Sequence, residues 1–218
     1  MEIKETLIYV CRRLYDRGFV TATDGNVSCR LPNGNILATP TSLSKGMVEA
    51  EHLIEIDLEG NVINGNAQPS SEIKMHLLFY KERTDINAVA HAHPSYATGF
   101  ATAGISMDKC VFPEVLVILG SIPLSKYGTP STTEVTDALI PYVKNYDAVL
   151  LANHGVVTAG KDLIDALFKM EKVEHSAHTL YIARTLGGEK LLNHEDVDKL
   201  NNIFVKPKGG DLKNKIKY

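Results

Sequence analysis

Ala88-Val89-Ala90-His91-Ala92-His93-Pro94 reads as an apolar strand that ends in two histidines and is closed by proline. Residues i and i+2 of a strand point to one face, so His91 and His93 aim their imidazoles at a common point. Two ligands so placed suit a metal ion, and a third has to come from elsewhere in the chain. The best candidate is His154, in Leu150-Leu151-Ala152-Asn153-His154-Gly155, where another apolar run breaks at glycine. Glu72, in Pro69-Ser70-Ser71-Glu72, offers a fourth ligand or a base beside the metal. A His-x-His pair alone is common at surface or hydrogen-bonded strand ends. The addition of His154 and Glu72 tips the reading toward a metal site.

Upstream of this strand, Thr23-Asp24-Gly25-Asn26-Val27-Ser28 reads in two ways. It is a polar turn presenting N–H groups and an amide to an anion, or simply a turn entering a strand. A hairpin follows, with Val27–Arg30 and Ile36–Ala38 flanking Pro32-Asn33-Gly34-Asn35. Thr39-Pro40-Thr41-Ser42-Leu43-Ser44-Lys45-Gly46 is crowded with hydroxyls and one lysine, which fits a phosphate loop or a solvated connector. Leu53–Asp57 and Val62-Ile63 read as paired strands. Ser70 and Ser71 have the form of a helix N-cap ahead of Ile73–Tyr80, with Glu72 as a first-turn acid. The same helix-start amides and hydroxyls also bind phosphate. His76 shares the face of Glu72 and is expected to pack or hydrogen-bond.

The rest of the chain alternates helices and apolar runs. Residues 3–16 place Ile3, Leu7, Val10, Cys11 and Leu14 on one helical stripe, with Gly18 where a C-terminal cap belongs. Ser95–Thr102 is a short helix, Val115–Leu119 an apolar run, and residues 133–142 a helix. Tyr127, in Tyr127-Gly128-Thr129-Pro130, is free to reach a site or to pack. Asp147–Ala152 is as apolar as a strand buried on both faces, and Val156-Val157-Thr158 resumes after the break. The longest helix runs from about Leu163 to Leu186 on a stripe of Leu167, Met170, Val173, Ala177, Leu180 and Tyr181. Its His175 and His178 are expected to be exposed or interfacial. The lysine-rich tail from Lys206 is expected to be loosely held.

With 218 residues, 44% of them hydrophobic, the chain is expected to form one domain, residues 1–218. A net charge of −3 gives no electrostatic reason to expect nucleic acid, and no apolar run approaches a membrane span. Cys11, Cys29 and Cys110 are odd in number and widely spaced, which suggests buried thiols in a reducing, cytoplasmic compartment. Nucleotide-binding glycine loops and the serine-hydrolase elbow are absent.

In order, Gly25-Asn26-Val27-Ser28, Thr39-Pro40-Thr41, Pro69-Ser70-Ser71-Glu72, His91-Ala92-His93 and Asn153-His154-Gly155 resemble the class II aldolase/adducin family. The L-fuculose-1-phosphate aldolases are its most similar branch, and the match spans about residues 5–190. The resemblance implies a three-layer α/β/α domain with a largely antiparallel central sheet. It also implies a homotetramer with active sites between subunits. It implies one Zn2+ per subunit on His91, His93 and His154, with Glu72 as resting ligand and catalytic base. Gly25, Asn26, Thr41, Ser42, Ser70 and Ser71 fall on its substrate phosphate positions, and Tyr127 is a possible substrate contact.

Two departures concern the substrate. The fuculose phosphate enzymes carry glycine where this chain has Ser42. Neither Phe112-Pro113-Glu114 nor Phe204–Gly210 supplies the tyrosines expected to reach the aldehyde half. The activity so implied is reversible cleavage of a ketose 1-phosphate into dihydroxyacetone phosphate and a small aldehyde such as L-lactaldehyde. Sugar-phosphate 4-epimerases on the same fold resemble this pattern but carry aspartate after the serine pair, where this chain has Glu72. A non-catalytic adducin-like module lacks the zinc histidines, which are present here.

Overall fold

The structure, a computed structural model, describes residues 2–208. Its strands are β1 (Asn26–Arg30), β2 (Ile36–Ala38), β3 (Ile54–Ile56), β4 (Val62–Asn64), β5 (Ala88–Ala92), β6 (Leu124–Ser125), β7 (Ala148–Leu151) and β8 (Gly155–Gly160). They form one sheet in the order β4-β3-β2-β1-β5-β8-β7-β6. Every pairing is antiparallel except β6 with β7. The helices are α1 (Ile3–Asp16), α2 (Ile73–Glu82), α3 (Ser95–Thr102), α4 (Pro113–Leu119), α5 (Glu134–Val143), α6 (Leu163–Thr185) and α7 (His194–Leu200).

Strand alternation sorts the sheet's side chains into two cores. Ala88, Ala90 and Ala92 of β5 face one, packed with Leu7 and Leu14 of α1, Phe100 of α3 and Met170 and Val173 of α6. Val89 joins the other, with Met75 and Phe79 of α2 and Leu139 and Val143 of α5. This is the expected three-layer α/β/α arrangement. Small alanines on one side of β5 let the long helix α6 lie close to the sheet. His91 follows Val89 at period two and so faces α2, with Asn26 of β1 directly opposite it in register.

Several elements differ from the sequence reading. Val115–Leu119 is part of a helix: Pro113 stands at its start, Glu114 in its first turn, and Val115, Leu116 and Leu119 are buried at helical spacing. α7 was not anticipated, although Asn193 caps it by accepting from the Asp196 N–H and acids fill its first turn. Tyr181 is exposed rather than in the core stripe, at the rim of α6, its ring tilted against Tyr96 at 5.6 Å. Ile3, the first residue of α1, is likewise exposed. The cysteines are buried and free. The tail expectation falls mostly outside the described residues; helical turns continue to Lys208. No helix among the described residues is long and apolar enough to cross a membrane.

Candidate metal centre

His91 is the last-but-one residue of β5 and is fully buried. Its Nδ1 lies 2.9 Å from the Val156 carbonyl on the paired strand β8. A carbonyl only accepts, so Nδ1 carries the proton and Nε2 keeps its lone pair for a ligand. His93 follows the strand end, where its backbone N–H donates to the Phe19 carbonyl at 2.8 Å. The two Nε2 atoms stand 3.1 Å apart.

His154 comes from the tight connection between β7 and β8. Asn153 occupies the left-handed region at φ 56, a conformation that asparagine tolerates better than most residues. Gly155 is needed for a different reason: a Cβ there would stand 2.5 Å from His93 Cδ2 and 2.6 Å from the Ala92 carbonyl. The chain thus passes directly beneath the imidazoles. The ligand nitrogens of His91, His93 and His154 all lie within 4.8 Å of one another.

Glu72 closes the fourth side. Its Oε1 is 2.9 Å from His154 Nε2, and its Oε2 is 3.5 Å from His91 Nε2. Asn26 Nδ2 donates to Oε2 at 2.8 Å. Glu72 stands at the N-cap position of α2, yet its side chain makes no cap bond. Ser70 does that work, its Oγ accepting from the Glu72 N–H at 3.3 Å. This corrects the expectation of Glu72 as a first-turn acid: the helix start frees its carboxylate for the site.

The electrostatics favour neutral imidazoles at His91 and His93 beside an ionised Glu72 carboxylate. Burial pushes His91 down to about 3 and also lowers His93. Burial acts to raise Glu72, but His91, His154 and Asn26 outweigh it and hold the carboxyl below its usual range. Metal ligation requires these same protonation states, because a proton on either ligand type competes with the ion. Three convergent imidazoles, one of them with its tautomer fixed by the Val156 carbonyl, and one carboxylate therefore fit a divalent metal.

A cavity of about 190 Å³ adjoins the centre, lined by Gly25, Asn26, Thr41, Ser42, Ser70, Glu72 and His93 among others. Gly25, at φ 70, admits no side chain, since a Cβ would lie 2.8 Å from the His91 carbonyl. The loop holding Thr41 is drawn to the one holding Ser70 by a bridge between Pro40 and Pro69 and by the Thr41 N–H on the Gln68 carbonyl at 2.9 Å.

Two anticipated residues stand apart. Ser71 is exposed, its Oγ accepting from Ser131 Oγ at 2.8 Å, because the helix start turns it away from the cavity. Tyr127 is exposed and lies outside the cavity lining. His76 is buried with Nδ1 2.7 Å from Ser28 Oγ, a hydrogen-bonding role as expected. His175 and His178 flank a larger groove of about 730 Å³ on α6, where His178 stacks on Tyr96 at 3.9 Å. No convergent ligand set forms there among the described residues. Sequence reading missed Asp24, which reaches His93 Nδ1 at 3.5 Å, and the buried position of Lys45.

The fold and the histidine set define an α/β/α domain with a largely antiparallel sheet and a histidine cluster able to hold a metal ion. The class II aldolase and adducin N-terminal domain family matches residues 5–181, and the chain belongs to that family. It is 38% identical over 187 residues to the L-fuculose phosphate aldolase of Methanococcus maripaludis, covering 85% of this chain and 99% of the relative. It is 32% identical over 205 residues to the 3-oxo-tetronate 4-phosphate decarboxylase of Haemophilus influenzae, covering 91% and 96%. Among solved structures, an L-fuculose 1-phosphate aldolase superposes with a TM-score of 0.85 at 28% identity, covering 93% and 95%.

Proposed function

We propose that this chain is a zinc-dependent lyase that reversibly cleaves a ketose 1-phosphate into dihydroxyacetone phosphate and a small aldehyde. The observation that carries the reading is Glu72, which belongs both to the histidine cluster and to the wall of the hydroxyl-lined cavity. His91, His93 and His154 would hold the ion, and their all-nitrogen set with one carboxylate suits zinc. When bound, the ion supplies Lewis-acid polarisation of the substrate carbonyl.

The chain's own residues do the rest. Ser70, Thr41, Ser42 and the backbone at Gly25 hold the phosphate, a part of the substrate that does not react, and so position the reacting carbons. Glu72 moves the proton at the carbon beside the carbonyl. In condensation it removes that proton from dihydroxyacetone phosphate. In cleavage the hydroxyl on the departing carbon gives up its proton as the carbon–carbon bond breaks and the aldehyde forms. Glu72, protonated in turn, delivers a proton to the carbon left behind. Asn26 keeps one carboxylate oxygen oriented. Active sites lie between subunits of a cytoplasmic homotetramer in this reading, and the single domain spans residues 1–218.

A second reading has its own support, from relatives named as 3-oxo-tetronate 4-phosphate decarboxylases that cover nearly the whole chain. Loss of carbon dioxide from such a substrate leaves the same three-carbon phosphate carbanion for Glu72 to protonate. The 4-epimerase reading is weaker because Glu72 stands where those enzymes carry aspartate.

One panel separates these. Zinc-loaded protein is offered L-fuculose, L-rhamnulose and 5-deoxypentulose 1-phosphates, ribulose 5-phosphate, and 3-oxo-tetronate 4-phosphate. Release of dihydroxyacetone phosphate with an aldehyde supports the aldolase, and its release with carbon dioxide supports the decarboxylase. Turnover of ribulose 5-phosphate alone would overturn both.

A further inference from the structure

Lys45 is 2% exposed, yet its ammonium meets no carboxylate. Nζ donates to the backbone carbonyls of Thr23 at 3.1 Å and Leu43 at 2.5 Å, and among the described residues it forms no ion pair within 4.0 Å. Burying an unpaired charge is costly, so folds normally supply a partner. Lys169, also buried, shows the usual arrangement: Asp147 lies at 3.0 Å and Asp165 at 2.7 Å.

The groups that face Lys45 do not fill this role. They are Cys11, Asp24 and Glu72. Burial pushes the Cys11 thiol up to about 12, so it stays neutral. Asp24 accepts from Thr21 Oγ1 at 3.0 Å and reaches His93. Glu72 is engaged by His154 and Asn26. Among the described residues, Lys45 is also the one Lys or Arg on the cavity wall, which carries the acids Asp24 and Glu72. Without the ammonium, that wall would repel an anion.

We propose that Lys45 is the counter-charge that makes this cavity take a phosphate dianion, the ligand completing the ion pair the fold leaves open. This rests on the phosphate reading of the cavity given above. The same ammonium ties the turn at residues 23–25 to the loop at 40–45 through its two carbonyl bonds, so it both shapes the pocket and charges it.

The test uses the zinc-loaded full chain and inorganic phosphate as probe, with binding read by calorimetry. Lys45→Gln keeps donors for the two carbonyls and removes the charge. It is expected to melt within a few degrees of wild type, retain its metal, and bind phosphate at least about tenfold more weakly, the low end for losing a charged hydrogen bond. Lys45→Arg is expected to restore most of the affinity. Equal phosphate affinity in wild type and Lys45→Gln overturns the proposal while leaving the phosphate reading intact. If wild type binds neither phosphate nor dihydroxyacetone phosphate, both fall together. If Lys45→Gln and Lys45→Met both fail to fold, Lys45 is a brace and the proposal is overturned.

Discussion

The amide of Asn26 donates to Glu72 Oε2 at 2.8 Å and to Ser70 Oγ at 3.2 Å, joining the histidine cluster to the hydroxyl-lined cavity through one buried side chain. Asn26 begins β1, and Glu72 and Ser70 lie at the start of α2, so the bonds also fix that helix start against the sheet. Asn26→Ala is therefore expected to reduce kcat/KM for a phosphorylated substrate by about 10- to 100-fold, the equivalent of one hydrogen bond to a charged group. Asn26→Asp should be worse, because a second carboxylate raises the pKa of Glu72. Ser71→Ala, whose hydroxyl faces Ser131, should change kcat/KM by less than about threefold. A larger Ser71 effect would place it on the substrate after all.

Metal content tests the ligand set directly. Wild type is expected to carry about one zinc ion per chain. His91→Ala and His154→Ala should lose it, as read by elemental analysis after dialysis. His175→Ala and His178→Ala, on the far groove, should keep it. Full occupancy in both triad variants would refute the assignment.

Ser42 holds φ 59, in the left-handed region where a side chain costs roughly 1–2 kcal/mol. A glycine would take this backbone conformation without cost, and serine here bears strain. Ser42→Gly relieves it but adds freedom to the unfolded chain, about 0.4–1 kcal/mol in the other direction. A net gain of about 0.5–1 kcal/mol in urea denaturation is expected. A net loss would mean that the hydroxyl, 3.5 Å from Thr41 Oγ1, contributes more than the strain costs.

The site was more legible than its surroundings, for physical reasons. His91 and His93 share a face by period two on an apolar strand, and the metal reading rests on adding His154 at a second strand break and Glu72 after the serine pair. His154 is marked by the glycine break that the close approach requires. Lys45 lies in a loop that reads equally as a phosphate loop or a solvated connector, and its burial is hidden because it depends on carbonyls from two separate segments. Val115–Leu119 was ambiguous because five apolar residues are too few to show a period. Ser71 looked equivalent to Ser70, but the turn leading into α2 points it outward, where its hydroxyl meets Ser131.

Arg184 pairs with Glu189 at 2.9 Å across the Gly187-Gly188 turn that ends α6. The hydrogen bonds from Arg184, aided by Glu189's own backbone N–H, lower the Glu189 carboxyl to about 2. A depressed folded value stabilises above the unfolded value near 4.5, and the gain is lost as pH falls toward 2. Glu189→Gln should therefore cost up to about 1 kcal/mol at pH 7, a partly exposed pair being screened. The gap from wild type should narrow between pH 4.5 and 3. A gap independent of pH would assign the effect to packing.

Glu72 can act as cap, ligand or base, and Glu72→Gln separates the three. The structure already weakens the first role, since the carboxylate makes no cap bond and Ser70 serves the Glu72 N–H instead. Glutamine keeps the shape and one oxygen but cannot accept the proton at the reacting carbon. If Glu72 is the base, the variant should retain zinc through the histidines and bind dihydroxyacetone phosphate as wild type does. Exchange of that compound's C3 proton with deuterated water should then fall at least about a hundredfold, the low end for losing a general base. A ligand role alone predicts metal loss and recovery of exchange with added zinc. A cap role alone predicts near-normal exchange and a slightly lower melting point. Sustained exchange in zinc-loaded Glu72→Gln protein would remove Glu72 as base. The proton acceptor would then have to be sought among the neighbouring groups, with Asp24 on the same cavity wall as the next residue to vary.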